Sequence, residues 1–258
     1  MGLQRTQAVV IGRRPLGEAD RLVTFYTREF GRLTGVAKGA RRPRSRFGSA
    51  LEPFSQGQLL FFESERSQLV RIDHFDLLYP FLGVRERLEP LGQGAWVVEC
   101  LGRLTAERDP HAALYGLLVR TLRALEEIPR PERAALAFTL RCVDLLGHRL
   151  RLDRCLSCGA PPDLAPRLDF SAGGLVCGTC ARLSGDSLAL SAQALAGLRR
   201  LRTLRWEELL AASLSRPVEA EVVSALEAQV ARLMGHPPRT PRFLLQTRRS
   251  PVGTGGAR

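Results

Sequence analysis

Cys155-x-x-Cys158 and, after 18 intervening residues, Cys177-x-x-Cys180 are the side chains of this sequence best suited to chemistry. Each pair can curl into a turn that aims two thiolates at one ion, and two such turns complete a tetrahedral all-sulfur shell. Gly159, Gly173, Gly174 and Gly178 supply the permissive backbone that the turns and an intervening hairpin need. Two disulfides, a redox pair or an iron–sulfur site would use the same residue types. A basic cytosolic protein disfavours disulfides, and one redox pair leaves the second pair unexplained. The expectation is therefore a single structural Zn2+ per chain, held by Cys155, Cys158, Cys177 and Cys180. Four thiolates close the shell and leave no position for a catalytic water.

A second chemistry lies in the run Lys38-Gly39-Ala40-Arg41-Arg42-Pro43-Arg44-Ser45-Arg46, with no acid between Arg32 and Leu51. Glycine and proline keep it out of a helix, and planar guanidinium groups fork onto phosphate oxygens or stack on bases. Lys38, Arg41, Arg42, Arg44 and Arg46 are thus candidate phosphate contacts. An ordinary solvated basic loop has the same composition, so the scaffold around it decides. Arg199 and Arg200 form another candidate patch, on a helix whose Leu195, Leu198, Leu201 and Leu204 share the opposite side.

Five β-rich runs position the loop: Gln7–Arg14, Arg21–Thr27, Arg32–Lys38, Gln56–Glu63 and Gln68–Leu78. Five strands in so short a stretch predict a small OB-fold barrel, with the basic loop joining the third and fourth strands. SH3-like barrels and small sandwiches give similar strand counts. From Pro80 the period shifts from two to about 3.6, which marks helices. Asp109-Pro110 reads as a helix start, Pro131 opens another helix, and Gly147 ends it. Leu114, Leu117, Leu118, Leu122, Leu125, Leu136, Leu140, Val143 and Leu146 form the expected bundle core, with Cys100 and Cys142 packed as small hydrophobes. Ser191 caps a later helix, and a last one runs from about Pro217 to Met234.

The chain therefore reads as an α+β multidomain protein. Residues 1–80 form a five-stranded OB-fold barrel, 81–150 and 186–240 two parts of a helical domain, 151–185 an inserted four-cysteine zinc ribbon, and 241–258 a flexible tail. The formal net charge of +12 favours a polyanionic partner, and it divides as +5 over residues 1–80, +1 over 81–150 and +6 over 151–258. No apolar run approaches the roughly 18 residues of a membrane span, and the N-terminus lacks a signal-peptide core, so a soluble intracellular protein without membrane contact is expected. There is no GxxxxGK[ST] loop, no GxSxG elbow and no HExxH, which argues against an enzyme. An RNA-binding or ribosome-associated protein, and a zinc-containing nuclease or thiol enzyme, remain as alternatives.

The run Arg14-Pro15-Leu16-Gly17-Glu18-Ala19-Asp20-Arg21-Leu22, then Thr27 to Leu33, then Ala37 to Arg46, resembles the N-terminal signature of bacterial RecO recombination mediators. The cysteine module and helices follow in the order that family uses, so the likeness covers nearly the whole chain. It implies an N-terminal OB-fold, a helical domain and, where the cysteines are kept, a zinc ribbon. It also implies binding of single- and double-stranded DNA, annealing of complementary strands, and action with RecR to load RecA on strands coated by single-strand binding protein. The location implied is the bacterial cytoplasm, at the nucleoid. DNA contact carries over to Lys38 and to Arg41, Arg42, Arg44 and Arg46, and further to Arg199 and Arg200.

Overall fold

A computed structural model describes residues 2–64, 67–161, 166–181 and 187–240. The expected tail, 241–258, lies outside the described residues. Strands β1 (Leu3–Leu16), β2 (Asp20–Thr27), β3 (Gly31–Ala37), β4 (Gln56–Ser64) and β5 (Ser67–Tyr79) form a closed barrel in the order β1-β2-β3-β5-β4. The first strand is longer than the sequence pattern predicts because it serves two neighbours. Its Leu3–Val9 part pairs with β4, and Ala8–Leu16 pairs with β2. A bulge between Val10 and Gly12 bends it from one neighbour to the other. The barrel closes through a short parallel pairing of Gly35 and Val36 with Val70 and Arg71. A side chain at Gly35 would push into Val70 and Ile72, so closure requires glycine there.

The helices α1 (Leu82–Glu86), α2 (Leu88–Leu104), α3 (Ala112–Glu127) and α4 (Pro131–Leu145) follow directly. The expected cap at Asp109 is replaced by His111, whose Nδ1 accepts from the Leu114 N–H at 3.4 Å. Asp109 is occupied elsewhere: its backbone lies so close over Gly31 that any Cβ there would collide with it. Pro131 occupies the first turn of α4, and Gly147, at φ +80°, follows its end as predicted.

Packing places α4 at the centre. Ala134, Ala135, Phe138, Cys142 and Val143 join α2, α3 and the barrel residues Val9, Ile11, Tyr26 and Phe54 in one core. Leu136, Ala137 and Leu140, on its other side, join a second core with Leu150, Leu152, Leu168, Leu175 and residues of the later helices. Apolar residues on two sides of one helix let it serve two cores, while Glu132, Arg141 and Asp144 stay only partly buried between them.

After α4 the chain forms the cysteine module. Strands β6 (Arg167–Asp169), β7 (Gly174–Val176) and β8 (Ser187–Ala189) make a three-stranded sheet in the order β7-β6-β8, with the short helix α5 (Gly178–Ala181) after β7. Helices α6 (Ala192–Thr203), α7 (Trp206–Ala211) and α8 (Arg216–Met234) complete the fold. Ser191 caps α6 by accepting from the Ala194 N–H at 3.1 Å, and Gly235 ends α8 at φ +73°. No helix among the described residues is long and apolar enough to cross a membrane.

Candidate nucleic-acid interface and metal centre

The basic segment between β3 and β4 is built in, not loose. Ala40, Phe47, Ala50 and Leu51 are buried in the same core as Val23, Phe25, Leu33 and Ile72, so the apolar residues around the cations plug the barrel. At its start the loop is pinned to the β1–β2 turn. The Gly39 N–H donates to Asp20 Oδ1 at 2.8 Å, the Arg41 N–H to the Ala19 carbonyl at 2.9 Å, and Arg41 Nη1 to the Gly17 carbonyl at 2.7 Å. Successive turns then join Arg42 N to Gly39 O, Ser45 N to Arg42 O and Gly48 N to Ser45 O. The Arg46 guanidinium lies 5.0 Å from the centre of the Phe47 ring.

Lys38, Arg41, Arg42, Arg44 and Arg46 are all exposed, and among the described residues none forms an ion pair. Nearby arginines differ. Arg13 and Arg21 both close on Glu52, at 2.6 and 3.6 Å. The outcome is a fixed rim with five uncompensated cations, a shape and charge suited to polyanion backbones. Sequence reasoning missed the anchors; the apolar spacing Phe47, Ala50, Leu51 directly after the cations was the available signal.

The four module cysteines converge. Their Sγ atoms all lie within 4.8 Å of one another, with Cys158 and Cys177 at 3.8 Å. A Zn–S bond of about 2.3 Å sets a tetrahedral S–S edge of about 3.8 Å, so the donor set fits such an ion. Local backbone explains the convergence. Gly159, at φ +73°, sends its N–H back to the Cys155 carbonyl at 2.9 Å, and the Ala181 N–H returns to the Cys177 carbonyl at 2.9 Å. Burial raises the Cys155 thiol, but the N–H groups of Cys158, Cys177 and Ser157 outweigh it and bring it down to about 6. Hydrogen bonding from Cys177 and Cys158 pushes Cys180 up to about 12. The cluster can hold a metal ion, with two ligands buried and Cys158 exposed. Cys100 and Cys142 stand apart in the helical core, where burial raises both thiols, Cys142 to about 12.

The two arginines of α6 do not share one role. Arg200 is exposed, but Arg199 is half-buried and donates to the Leu152 carbonyl through Nε, at 3.1 Å, and through Nη2. The expectation that both face away from the fold is corrected for Arg199. Its partner is a segment 47 residues earlier in the chain, which helical periodicity cannot reveal. Arg202, 8% exposed, does the same for the Leu150 carbonyl at 2.5 Å, and Gln229 for the His148 carbonyl at 2.5 Å.

Comparison with known proteins agrees with this arrangement. The family described as Recombination protein O N terminal matches residues 1–81, the barrel with its basic loop. The family described as Recombination protein O C terminal matches residues 85–242. A DNA repair protein RecO of Anaeromyxobacter dehalogenans (strain 2CP-C) is 36% identical over 241 residues, 92% of this chain and 93% of that protein. Those of Myxococcus xanthus and Geobacter metallireducens are 37% identical over 76% of this chain and 33% identical over 94%, covering 80% and 97% of their own lengths. Barrel, helices and cysteine module thus fall, in order, within matches that span nearly the whole sequence, and the chain belongs to the RecO family of DNA repair proteins.

Proposed function

We propose that this chain is a recombination mediator that binds single- and double-stranded DNA, anneals complementary strands and, with RecR, helps load RecA onto strands coated by single-strand binding protein. The observation that carries the reading is the anchored rim of Lys38, Arg41, Arg42, Arg44 and Arg46, exposed and without acidic partners among the described residues. Neutralising phosphate charge on two strands lowers their repulsion, and base pairing then supplies the free energy of annealing. The work is binding and alignment, so no catalytic residue is assigned. Arg200 adds to the DNA-contacting surface, whereas Arg199 serves the fold.

The cysteine cluster fits one structural Zn2+, held by Cys155, Cys158, Cys177 and Cys180. When bound, the ion supplies folding energy to the module and no reactive water, because all four positions are taken by sulfur. The protein acts in the cytoplasm, at the nucleoid. Residues 1–80 serve as the DNA-binding unit, and the helical parts 81–150 and 186–240 carry the ribbon 151–185.

The test is a Lys38→Glu, Arg41→Glu variant in strand annealing and in oligonucleotide binding against salt. Each lost phosphate contact lowers the log–log slope by about 0.7 to 0.9. Wild-type affinity with an unchanged slope rejects the rim, and preference for RNA over DNA of equal length would move the protein to another class of partner.

A further inference from the structure

Residues 148–153, between α4 and the first cysteine turn, form an extended edge whose two sides differ. Leu150 and Leu152 are each 4% exposed and lie in the core shared by the ribbon and the late helices. Arg149 and Arg151 are exposed, as the period-two alternation of an extended chain requires. The carbonyls of His148, Leu150 and Leu152 accept from Gln229, Arg202 and Arg199. On the opposite flank, the Arg151 N–H donates to the Gly173 carbonyl at 3.0 Å, and its carbonyl accepts from the Leu175 N–H at 2.8 Å. Gly174 lies against the Arg151 backbone so closely that a Cβ would strike its carbonyl.

This is an unusual degree of fixation for a short stretch outside the named strands, and what it presents to solvent is positive charge. Arg149 and Arg151 sit two residues apart on one side, about 6.6 Å along an extended chain, within reach of neighbouring phosphates of one strand. Arg154 follows, also exposed, and among the described residues it donates to the Gly159 carbonyl at 3.4 Å alone. Among the described residues none of the three forms an ion pair, although Asp153 is exposed between them. The buried Arg202 feels both Arg149, which lowers its pKa, and Asp153, which raises it, behind the larger effects of burial and Asp144.

We propose that Arg149, Arg151 and Arg154 form a second phosphate-binding site, which takes the backbone of a single nucleic-acid strand while the barrel rim holds another. The inference rests on the DNA-binding reading above and adds to it a separate location. Arg199, Arg202 and Gln229 act as positioning residues that keep the edge in register. The cysteine turn that begins at Cys155 fixes its far end, so the ridge depends on the metal module.

The experiment uses the full chain loaded with zinc and two non-complementary fluorescent single strands, with stoichiometry and co-binding read as energy transfer between the labels. Arg149→Glu with Arg151→Glu is expected to keep the zinc and the first strand. It should weaken the second strand at least tenfold and lower the salt slope by about 1.4, two contacts at about 0.7 each. If charge reversal costs the zinc, Arg149→Gln with Arg151→Gln carries the same test. A ridge variant with wild-type co-binding and slope, beside a Lys38→Glu, Arg41→Glu variant that loses the first strand, overturns the second site and leaves the DNA-binding reading standing. If the rim variant also binds like wild type, the DNA-binding reading fails and takes the ridge with it.

Discussion

The Glu99 carboxylate on α2 accepts hydrogen bonds from the backbone N–H groups of Arg239 and Thr240, at 2.8 and 2.9 Å, and from the Thr240 hydroxyl at 2.5 Å. The last described turn of the chain is thereby tied to the second helix of the bundle. Burial opposes the charged form of Glu99, but the three donors and the nearby Arg103 outweigh it and hold the carboxyl below its ordinary range.

This clamp predicts a signature in acid. A carboxyl whose folded pKa is depressed contributes stability that is full above the unfolded value, about 4.3, and is lost as pH falls through the folded one. Glu99→Gln is expected to cost about 1 kcal/mol at pH 7, limited by solvent screening of a half-exposed group. The gap from wild type should close as the pH drops below about 4. Thermal melts at the two pH values check it; a gap that stays constant refutes the charge-based account.

A buried pair in the helical domain makes a larger prediction. Arg133 has a 2% exposed side chain, lies 3.0 Å from Glu219 on α8, and leaves Nη1 without a hydrogen-bond partner among the described residues. Removing the acid strands a buried cation, so Glu219→Ala should destabilise by about 3 kcal/mol. Replacing both, with Arg133→Met, should recover most of the loss. Denaturant midpoints for the two variants decide, and equal losses would show that the pair is not the source.

For the basic rim, Phe47 separates charge from architecture. It is 3% exposed within the barrel core and carries the loop that holds the cations. Phe47→Ala should cost about 3 kcal/mol. It should also weaken oligonucleotide binding although no charge is lost, because the rim is no longer held in place. Binding at wild-type strength in a protein confirmed to be folded would mean that the cations act without the anchor.

Zinc should contribute to the stability of the protein before it affects intrinsic DNA contact at the barrel rim. Cys155→Ser or Cys177→Ser is expected to remove the metal found by elemental analysis and to lower thermal stability, with the rim's first-strand affinity retained. Gly174→Ala should act in the same direction without touching a ligand, through the collision with Arg151. Freshly purified, reduced wild-type protein without metal would overturn the zinc reading.

What was legible in the sequence was what local chemistry dictates. The five strands, Pro131 at the head of α4, Ser191 as a cap and the convergence of four cysteines follow from short-range patterns, and the structure bears them out. The remainder is non-local. Asp109 has the right composition for a cap, but its backbone is pressed against Gly31 of the barrel, so His111 takes the position. Arg199 looks like a solvent-facing cation on a helical wheel, yet it reaches a carbonyl across the fold. The leading part of β1, Leu3–Thr6, lacks the β-branched run of its centre and becomes strand because β4 lies beside it.

The position of α4 between two cores makes the molecule cooperative. Barrel residues Val9, Ile11, Tyr26 and Phe54 share a core with one side of this helix, and the ribbon's Leu152, Leu168 and Leu175 share another with its opposite side. Neither end can melt without uncovering apolar side chains of this helix, Ala134, Phe138 and Cys142 toward the barrel or Leu136, Ala137 and Leu140 toward the ribbon. Heat should therefore produce one endotherm spanning the barrel, bundle and ribbon, with calorimetric and van't Hoff enthalpies in agreement.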